Sequence, residues 1–418
     1  MQANTGLQLS LLYPQKPPMN RFLHKLYIVL ALLPLFGGSA CTMIEDDITD
    51  CPTGLYVRFI YDYNTQRADM FKDHVGHVTL YIYDEDGKKV AERSVSNTTS
   101  STPLAAYGYA MHFNPSELPE GRYRLQAVAM QKDWDEALST NGAKYRRNNV
   151  SDGNSLNITL DHSEKPDATT GHHSVDHMSA PLDTLWHTLK VMSYEPCDGS
   201  IAPDLHRTSA PYSIYPMEDQ YVTVINDRAT YATVSLIRDT KHLNITLRQI
   251  ELPESVHHSD YEVKLVDTNA TVAHDNEIVP GKSLLYTPYA SWTTRFDGNG
   301  IEIEDYGTSR AEGDYTIQRT AHYNLMFNRT MHKADPEDCG ILEVRNRNTG
   351  KTVARINLPY ILAQGRTAYE IYNYSAQEYL DREYDYHLNF LLRGDTWAYC
   401  DIVINTLSWS LRVQNEEL

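Results

Sequence analysis

The chain has 418 residues, of which 41% are hydrophobic and 22% are charged, a composition typical of a globular protein of two or three domains. Its formal net charge is −18, and the sequence contains no block rich in Lys and Arg. Because binding to phosphates requires a basic surface, this charge excludes nucleic acid as a partner.

The first forty residues have the features of an export signal. Arg21 and Lys25 form a basic head, and residues 27–36 form an apolar body, shorter than the ~20 residues needed to cross a bilayer. The polar, Pro-containing leader before Met19 has none of these features, so we expect translation to start at Met19. Residues 1–40 are therefore predicted to be a signal peptide.

The sequence "GSAC" at residues 38–41 resembles the lipobox of bacterial lipoproteins. The resemblance implies cleavage between Ala40 and Cys41, followed by acylation of Cys41 with palmitate-type chains. Each buried CH₂ contributes ~0.8 kcal/mol, so a multiply acylated cysteine would hold the protein on a membrane. Ordinary secretion is the alternative and would leave Cys41, or a residue near it, as a plain N-terminus. Beyond Cys41 no apolar run approaches bilayer length, so the rest is expected outside the membrane.

Alternating sequence patterns in the first half predict antiparallel strands. Tyr is abundant, with 30 residues against 8 Phe, and falls in runs where apolar and polar residues alternate, as in strands with one solvated face. Gly87 in "DEDG" is suited to a hairpin turn. The predicted strands are "LYVRFIYDY" from Leu55, the hairpin "HVTLYIYDEDGKKVAERSV" from His77, "GRYRLQAVAMQ" from Gly121 and "SLNITL" from Ser155.

The same pattern returns after a Pro-spaced stretch at residues 195–220, which is predicted to connect two domains. Two β-sandwich-like domains, at residues 41–200 with a lipidated tether and at residues 201–418, explain the pattern economically. The later predicted strands are "YVTVIN" from Tyr221, "HLNITLRQI" from His242, "YEVKLVD" from Tyr261 and the hairpin "GILEVRNRNTGKTVARINL" from Gly340.

One helix is predicted near the C-terminus, at "SAQEYLDREY". Ser375 is suited to the N-cap position, and Glu378 completes a capping box. Three extended segments follow within "YHLNFLLRGDTWAYCDIVINTLSWSLRVQ", and the last contains Trp409.

Four cysteines remain if Cys41 carries lipid: Cys51, Cys197, Cys339 and Cys400. Four cysteines allow three pairings, and an exported chain can form disulfides. We favour Cys51 with Cys197 and Cys339 with Cys400, because each pair then stays within one half of the chain. The equal alternative is that some of them are buried free thiols.

No constellation in the sequence indicates catalysis. His172, His173, Asp176 and His177 in "TGHHSVDHM" could bind zinc or copper, but Gly171 and its polar neighbours favour a loop, hence a linker or an adventitious metal site. A Gly-x-Ser-x-Gly nucleophile elbow and Gly-rich phosphate loops are missing. We therefore predict no catalytic residues, no metal site and no cofactor. Exposed Trp residues could stack on sugars, although packing is the commoner role.

Four stretches together resemble the FimB-type minor fimbrial anchor family: "DDITDCPTGLYVRFIYDYN", "PLDTLWHTLKV", "HLNITLRQI" and "INTLSWSLRVQ". The resemblance runs from about Cys41 to the C-terminus. It implies a non-enzymatic outer-membrane lipoprotein of two transthyretin-like antiparallel β-sandwich domains, which fixes the base of a cell-surface adhesion fimbrium and limits its length.

The partners that the resemblance implies are fimbrial shaft subunits, bound by strand addition, and outer-membrane lipid, bound through acylated Cys41. The C-terminal "LSWSLRVQNEEL" is expected to be used by the fold, so the protein would accept a strand and not donate one from that end. The alternatives are a surface glycan-binding lipoprotein, with Trp or Tyr clustered on one face, and a secreted hydrolase, with paired carboxylates in a pocket.

Overall fold

The computed structural model of the protein describes residues 52–131, 145–175, 180–194, 214–217, 220–297, 302–303, 318–333, 340–404 and 409–414. From Thr53 onward they belong to one compact unit. Within these residues no helix is both long enough and apolar enough to span a membrane.

Strands dominate the first part of the described chain, up to residue 240. They are β1 (Gly54–Ile60), β2 (His77–Tyr83), β3 (Lys89–Ser96), β4 (Met111–Phe113), β5 (Gly121–Met130), β6 (Tyr145–Asn148), β7 (Asn157–Leu160), β8 (His173–Ser174), β9 (Leu185–Tyr194), β10 (Ile214–Met217), β11 (Tyr221–Val224) and β12 (Ala229–Arg238). A short helix, α1 (Phe71–His74), and a 3-10 turn (Pro103–Ala105) lie between them.

Strands also dominate the second part. They are β13 (Lys241–Gln249), β14 (Tyr261–Asp267), β15 (Thr271–Ala273), β16 (Ile278–Val279), β17 (Leu284–Tyr286), β18 (Ala290–Phe296), β19 (Glu302–Ile303), β20 (Gln318–Phe327), β21 (Ile341–Asn346), β22 (Thr352–Asn357), β23 (Asp385–Arg393), β24 (Thr396–Ile404) and β25 (Trp409–Gln414). The helices here are α2 (Leu358–Ala363) and α3 (Ala376–Arg382), with 3-10 segments at His258–Asp260 and Gln364–Tyr372.

The first sheet has the strand order β3-β2-β5-β9-β12-β1-β4, with β10 beside β9 and β11 beside β5. Its strands contribute to a common core: Leu55, Val57 and Phe59 from β1 lie in one hydrophobic cluster with Leu80 from β2 and residues of the other strands. The sheet therefore curves around its own core. Strand β1 runs parallel to β12 and antiparallel to β4.

The second large sheet has the order β19-β18-β20-β13-β23-β24-β25. Its β13 alternates as predicted, with Leu243, Ile245 and Leu247 fully buried in a second hydrophobic core. Two smaller sheets, β22-β21-β14-β17-β8 and β16-β15-β7-β6, contribute to the same core. The two parts of the chain are interleaved, because β7 pairs with β15 and β8 pairs with β17.

The prediction of an all-β fold is confirmed, and every strand predicted above has a counterpart. Gly87 has φ +84, as the predicted hairpin turn between β2 and β3 requires. The predicted capping of α3 is also present, because Ser375 Oγ accepts a hydrogen bond from the Glu378 N–H at 3.1 Å.

Three features of the fold differ from the expectations. Among the described strands three pairs are parallel, β1 with β12, β8 with β17 and β13 with β23, where only antiparallel pairs were expected. Helix α2 was not predicted; Asn357 caps it and it buries Leu358, Ile361 and Leu362. The chain passes from the first sheet to the second large sheet at residues 239–240, whereas β10, within the expected connection at 195–220, belongs to the first sheet.

The domain ranges 41–200 and 201–418 stay a prediction. Strands β11 and β12, which lie beyond residue 200, pair within the same sheet as β1.

Candidate functional site

Among the described strands, β3 and β4 end the main path of the first sheet and each has one paired neighbour, as do β10 and β11 beside that path. In an antiparallel pair, alternate residues turn both backbone groups either toward the partner strand or away from it. The register of β3 with β2, together with the hydrogen bond from the Asn97 N–H to the Gly76 carbonyl at 2.7 Å, implies that Glu92 and Ser94 turn theirs away from β2. These groups are therefore available to a further strand.

Arg93 joins β3 and β4 across the curved sheet. Its Nη1 donates to the backbone carbonyl of His112 on β4, and its Nη2 lies 2.5 Å from Glu117 Oε1. The guanidinium also lies 4.2 Å from the centre of the Phe113 ring, a cation–π distance. We call the gap between β3 and β4 the β3–β4 seam. The two strands do not pair with each other, and the Arg93 side chain bridges the gap between them.

A second polar feature lies where the first sheet meets the second, and we call it the junction. Lys241, the first residue of β13, is only 1% exposed. Its Nζ donates to the backbone carbonyls of Asp381 at 2.8 Å and Glu383 at 2.9 Å. Burial lowers the pKa of Lys241 to about 8, because the charged form is costly away from water.

The junction also contains a buried ion pair. Arg329 Nε and Nη2 contact the two carboxylate oxygens of Asp381 at 2.7 and 2.8 Å, a bidentate geometry. The third nitrogen, Nη1, donates to the carbonyl of Asn276. The arrangement satisfies both charges, so the segment that follows β20 is held against α3.

Further buried groups complete the junction. Glu383 accepts hydrogen bonds from the Tyr384 N–H at 2.9 Å and from Thr65 Oγ1 at 3.2 Å, so it links α3 to the loop that follows β1. Burial raises the pKa of Glu383. His187 Nδ1 hydrogen-bonds to Asp239 Oδ2, with both side chains buried. These contacts tie the first sheet to the second large sheet at several points.

Two open cavities lie on the sheet faces. The larger, ≈ 480 Å³, lies over β14, β21 and β22, where Lys264, Glu343 and Arg355 occupy neighbouring positions of one cross-strand row. The smaller, ≈ 360 Å³, is lined by residues that include Arg238 and Asp385. A hydroxyl and an imidazole, those of Ser283 and His172, also line the larger cavity.

Asp385, in the smaller cavity, belongs to a polar cluster on the outer face of the second sheet. His242 Nδ1 lies 2.8 Å from Asp385 Oδ1, and His387 Nε2 lies 3.6 Å from Asp385 Oδ2. Burial opposes ionisation of Asp385, but the hydrogen bonds with His242 and His387 outweigh it and lower the pKa of Asp385. Within the described residues no three His, Cys, Asp or Glu side chains are grouped so that they could hold a metal ion.

The predicted site residues fall mostly outside the described chain: Ala40, Cys41, Cys51, Cys197, Cys339, Asp176 and His177. Their roles stay predictions. Cys400 lies in β24 as a buried free thiol, which is the alternative that the sequence left open. The two favoured pairings stay predictions, because Cys51, Cys197 and Cys339 lie outside the described residues.

The described histidines of the predicted cluster make local contacts. His172 Nδ1 lies 3.0 Å from Ser283 Oγ at the rim of the larger cavity, and His173 Nδ1 donates to the Ser163 carbonyl at 2.7 Å. His173 begins the short strand β8 rather than lying in a loop.

The sequence reasoning overlooked the charged residues of the seam and the junction, although alternation contains a signal for them. Extending the inward positions 243, 245 and 247 of β13 backward places Lys241 inward. On β3, Arg93 shares the core-facing side with Ala91 and Val95. A charged residue at an inward position indicates a buried partner.

The comparison with protein families matches residues 48–195 and 204–415 to the family described as Mfa2, "Fimbrillin-A associated anchor proteins Mfa1 and Mfa2". The chain belongs to this family. The resemblance to fimbrial anchor subunits is thereby confirmed, and the family associates the protein with fimbriae at the cell surface rather than with a class of enzymes. A comparison with curated proteins gave no match.

Solved structures share the fold of this Mfa2-family protein. A candidate polysaccharide-binding protein from Bacteroides thetaiotaomicron has 22% identity and a TM-score of 0.58, covering 88% of this chain and 100% of its own. A candidate adhesin from the same species has 23% identity and a TM-score of 0.58, covering 87% and 99%. A candidate adhesin from Bacteroides ovatus has 20% identity and a TM-score of 0.55, covering 87% and 96%.

Proposed function

We propose that this protein is a lipid-anchored fimbrial subunit that attaches the base of a fimbrial polymer to the outer membrane and limits the length of the polymer. Cys41, acylated after cleavage at Ala40, provides the attachment to lipid. The adjacent fimbrial subunit provides a strand, which this protein accepts at a sheet edge.

The observation that carries this proposal is the family match, which extends over residues 48–195 and 204–415 to a family of fimbrial anchor proteins. The "GSAC" sequence before the acidic segment "TMIEDDITD" supports attachment through lipid, because the matched region begins only seven residues beyond Cys41. Such a segment is suited to a soluble tether between lipid and fold.

Open edges support the acceptance of a strand. Glu92 and Ser94 on β3 turn backbone groups away from their neighbouring strand, and β22 is a second edge, at the end of the five-stranded sheet. Addition of an extended segment to such an edge supplies affinity through main-chain hydrogen bonds and specificity through alternate side chains.

Fimbrial retention in the native bacterium tests the proposal. Cells carrying Cys41→Ala are compared with wild-type cells for polymer on washed cells and polymer shed into the medium, at equal expression of the protein. We expect Cys41→Ala to release polymers into the medium, because loss of the acyl chains removes the attachment to lipid. Released polymers should also be longer, if growth no longer ends at the membrane.

Cys51→Ala is the matched control, since Cys51 lies in the same N-terminal stretch but outside the lipobox. Retention should be unchanged in this variant. If Cys41→Ala cells keep their fimbriae, or if wild-type cells carry none, the anchor proposal fails.

A glycan-binding surface protein is the second candidate. Trp292 is 40% exposed and stacks on His322, with ring centres 5.0 Å apart and an interplanar angle of 11°. Such a flat exposed ring suits stacking on a sugar, and one structural relative is a candidate polysaccharide-binding protein. A glycan-array screen becomes the informative experiment if the retention test fails.

A further inference from the structure

We propose that the β3–β4 seam is where the neighbouring fimbrial subunit inserts its strand, and that the loop at residues 98–110 fills this place beforehand. We call this loop the plug. The inference rests on the proposed function, because it locates the strand-accepting site that the proposed function requires. The partner is an extended peptide segment with apolar residues at alternate positions.

The seam offers hydrogen-bonding groups from two sides. On one side, Glu92 and Ser94 of β3 turn backbone groups away from β2. On the other, the His112 carbonyl of β4 points away from β1, because it accepts a bond from Arg93. A strand placed between two edges forms two ladders of backbone bonds, whereas a strand added to β22 forms only one.

One extended Arg side chain spans the seam. Neighbouring strands lie about 4.7–4.9 Å apart, so two edges that receive a strand between them must be separated by about twice that distance. Strands β3 and β4 are not paired with each other, yet the extended Arg93 side chain reaches from one to the backbone of the other. An inserted strand would replace the Arg93 guanidinium as the donor to His112.

The plug is held by one deep side chain. Leu104 is 1% exposed and packs in the core of the first sheet. Among the described residues, the backbone bonds of the plug are local: Ala105 and Ala106 donate to Thr102 and Pro103, each at 3.1 Å.

Tyr107, at the far side of the plug, is 76% exposed. A segment with few buried contacts and local hydrogen bonds opens more easily than the sheet it covers.

The floor beneath the plug is apolar. Ala91 and Val95 on β3 and Phe113 on β4 face the same core as Leu104. An incoming strand that places an apolar side chain where Leu104 now lies would keep the core filled. This requirement selects a partner with alternating apolar residues over a polar loop.

Two proline variants test the position of the strand. Glu92→Pro removes a backbone N–H that faces the seam, and a proline at such an edge position leaves the existing ladder intact. Arg355→Pro is the matched control on β22, because the register with β21 and the bond from the Leu358 N–H to the Gly340 carbonyl turn the Arg355 N–H away from β21. The full-length lipoprotein is affinity-purified from the native bacterium in mild detergent, and the co-purified fimbrial subunit is measured.

We expect Glu92→Pro to lower the co-purified subunit about tenfold or more and Arg355→Pro to change it less than about twofold. If only Arg355→Pro loses the subunit, the incoming strand binds at β22, and the proposal for the seam is wrong while the proposed function stands. If the subunit co-purifies normally with both variants, the proposal for the seam is also wrong. The proposed anchoring function is tested by whether Cys41→Ala cells shed their fimbriae, and not by these two proline variants.

A variant that is expected to bind more fimbrial subunit distinguishes loss of the binding site from failure to fold, because a misfolded variant cannot gain binding. Leu104→Ala weakens the plug and should raise the co-purified subunit about threefold or more, because opening then costs less. Leu125→Ala removes the same atoms from β5 in the same core and should give no gain. Equal behaviour of the two variants would overturn the role of the plug. Self-association of Leu104→Ala in cells that lack fimbrial subunits would assign the seam to a second copy of this chain and also overturn the proposal.

Discussion

The β3–β4 seam and the junction each contain an arginine paired with a carboxylate, but the two pairs differ in burial. At the junction, the buried side chains of Arg329 and Asp381 pair in bidentate geometry, and Lys241 donates to two backbone carbonyls. At the seam, Arg93 pairs with Glu117 where the two side chains are 32% and 41% exposed. A guanidinium thus fastens one region and only bridges the other.

The difference follows from burial. Breaking a buried ion pair leaves an uncompensated charge in a medium of low dielectric constant, whereas an exposed pair exchanges its partner for water at little cost. We therefore expect the connection between the two large sheets to resist opening, and the seam to open more easily than the junction. Both properties suit a protein that must bind a polymer and keep its own shape.

Removing the buried ion pair should give the largest effect. We expect Arg329→Ala to lower the free energy of unfolding by about 3–5 kcal/mol, because Asp381 is left charged and buried. Denaturant unfolding of the purified protein measures this. Arg393→Ala is the control: Arg393 Nε lies 3.6 Å from Glu251 Oε1 with both side chains mostly exposed, and its loss should cost less than about 0.5 kcal/mol. If the two variants lose the same free energy of unfolding, the buried ion pair of the junction stabilises the protein no more than an exposed pair.

The pH dependence of Lys241 should give an intermediate effect. Its pKa is about 8 in the folded protein and 10.5 in the unfolded chain, so between these values the unfolded chain binds more protons and stability rises with pH. From pH 8 to 9.5 the wild type should gain roughly 1–2 kcal/mol relative to Lys241→Met.

Unfolding curves of both proteins at the two pH values test this expectation. Lys351→Met supplies the same change at an exposed lysine and should show no such difference from the wild type. A wild-type protein that loses stability relative to Lys241→Met over this range would contradict a buried ammonium at the junction.

Opening the seam should give the smallest effect on stability. Arg93→Ala loses an exposed ion pair, a cation–π contact and one hydrogen bond, together about 0.5–1.5 kcal/mol. Its clearer result should be faster amide hydrogen exchange in residues 98–110.

Arg122→Ala is the control for this change. Arg122 lies 4.4 Å from the Tyr221 ring centre and 3.4 Å from Glu85, so it loses comparable contacts on the same sheet. Exchange in the plug should not change in this variant. Equal exchange in the two variants would show that Arg93 does not hold the seam.

Sequence reasoning predicted the β-rich fold because alternation is a local property. The runs from Leu55 and His242 show which side chains face a core, and the structure confirms the corresponding strands. The run from His77 also forms a strand, but all seven residues of β2 are buried, so both of its faces are covered. Ser375 predicted the start of α3 for the same reason, since a helix cap involves residues only three positions apart.

Pairing between distant segments could not be predicted in this way. Nothing local to residues 54–60 indicates that they lie beside residues 229–235, because register between distant strands depends on the whole packing arrangement. The seam and the junction arise from such pairings: Arg93 contacts His112, and Arg329 contacts Asp381. The resemblance to anchor proteins supplied the class of function, and only the arrangement in space supplied candidate surfaces.

The position of β1 has a mechanical consequence. If Cys41 is tethered to lipid as proposed, drag on the fimbria reaches the described fold through Gly54, the first residue of β1. That strand lies between β12 and β4, and its seven residues are in register with β12. A pull along the strand axis loads these bonds together in shear instead of peeling them one by one. Rupture under flow would then be governed by a high barrier to forced unfolding, so the fold should resist detachment longer than its equilibrium stability alone suggests.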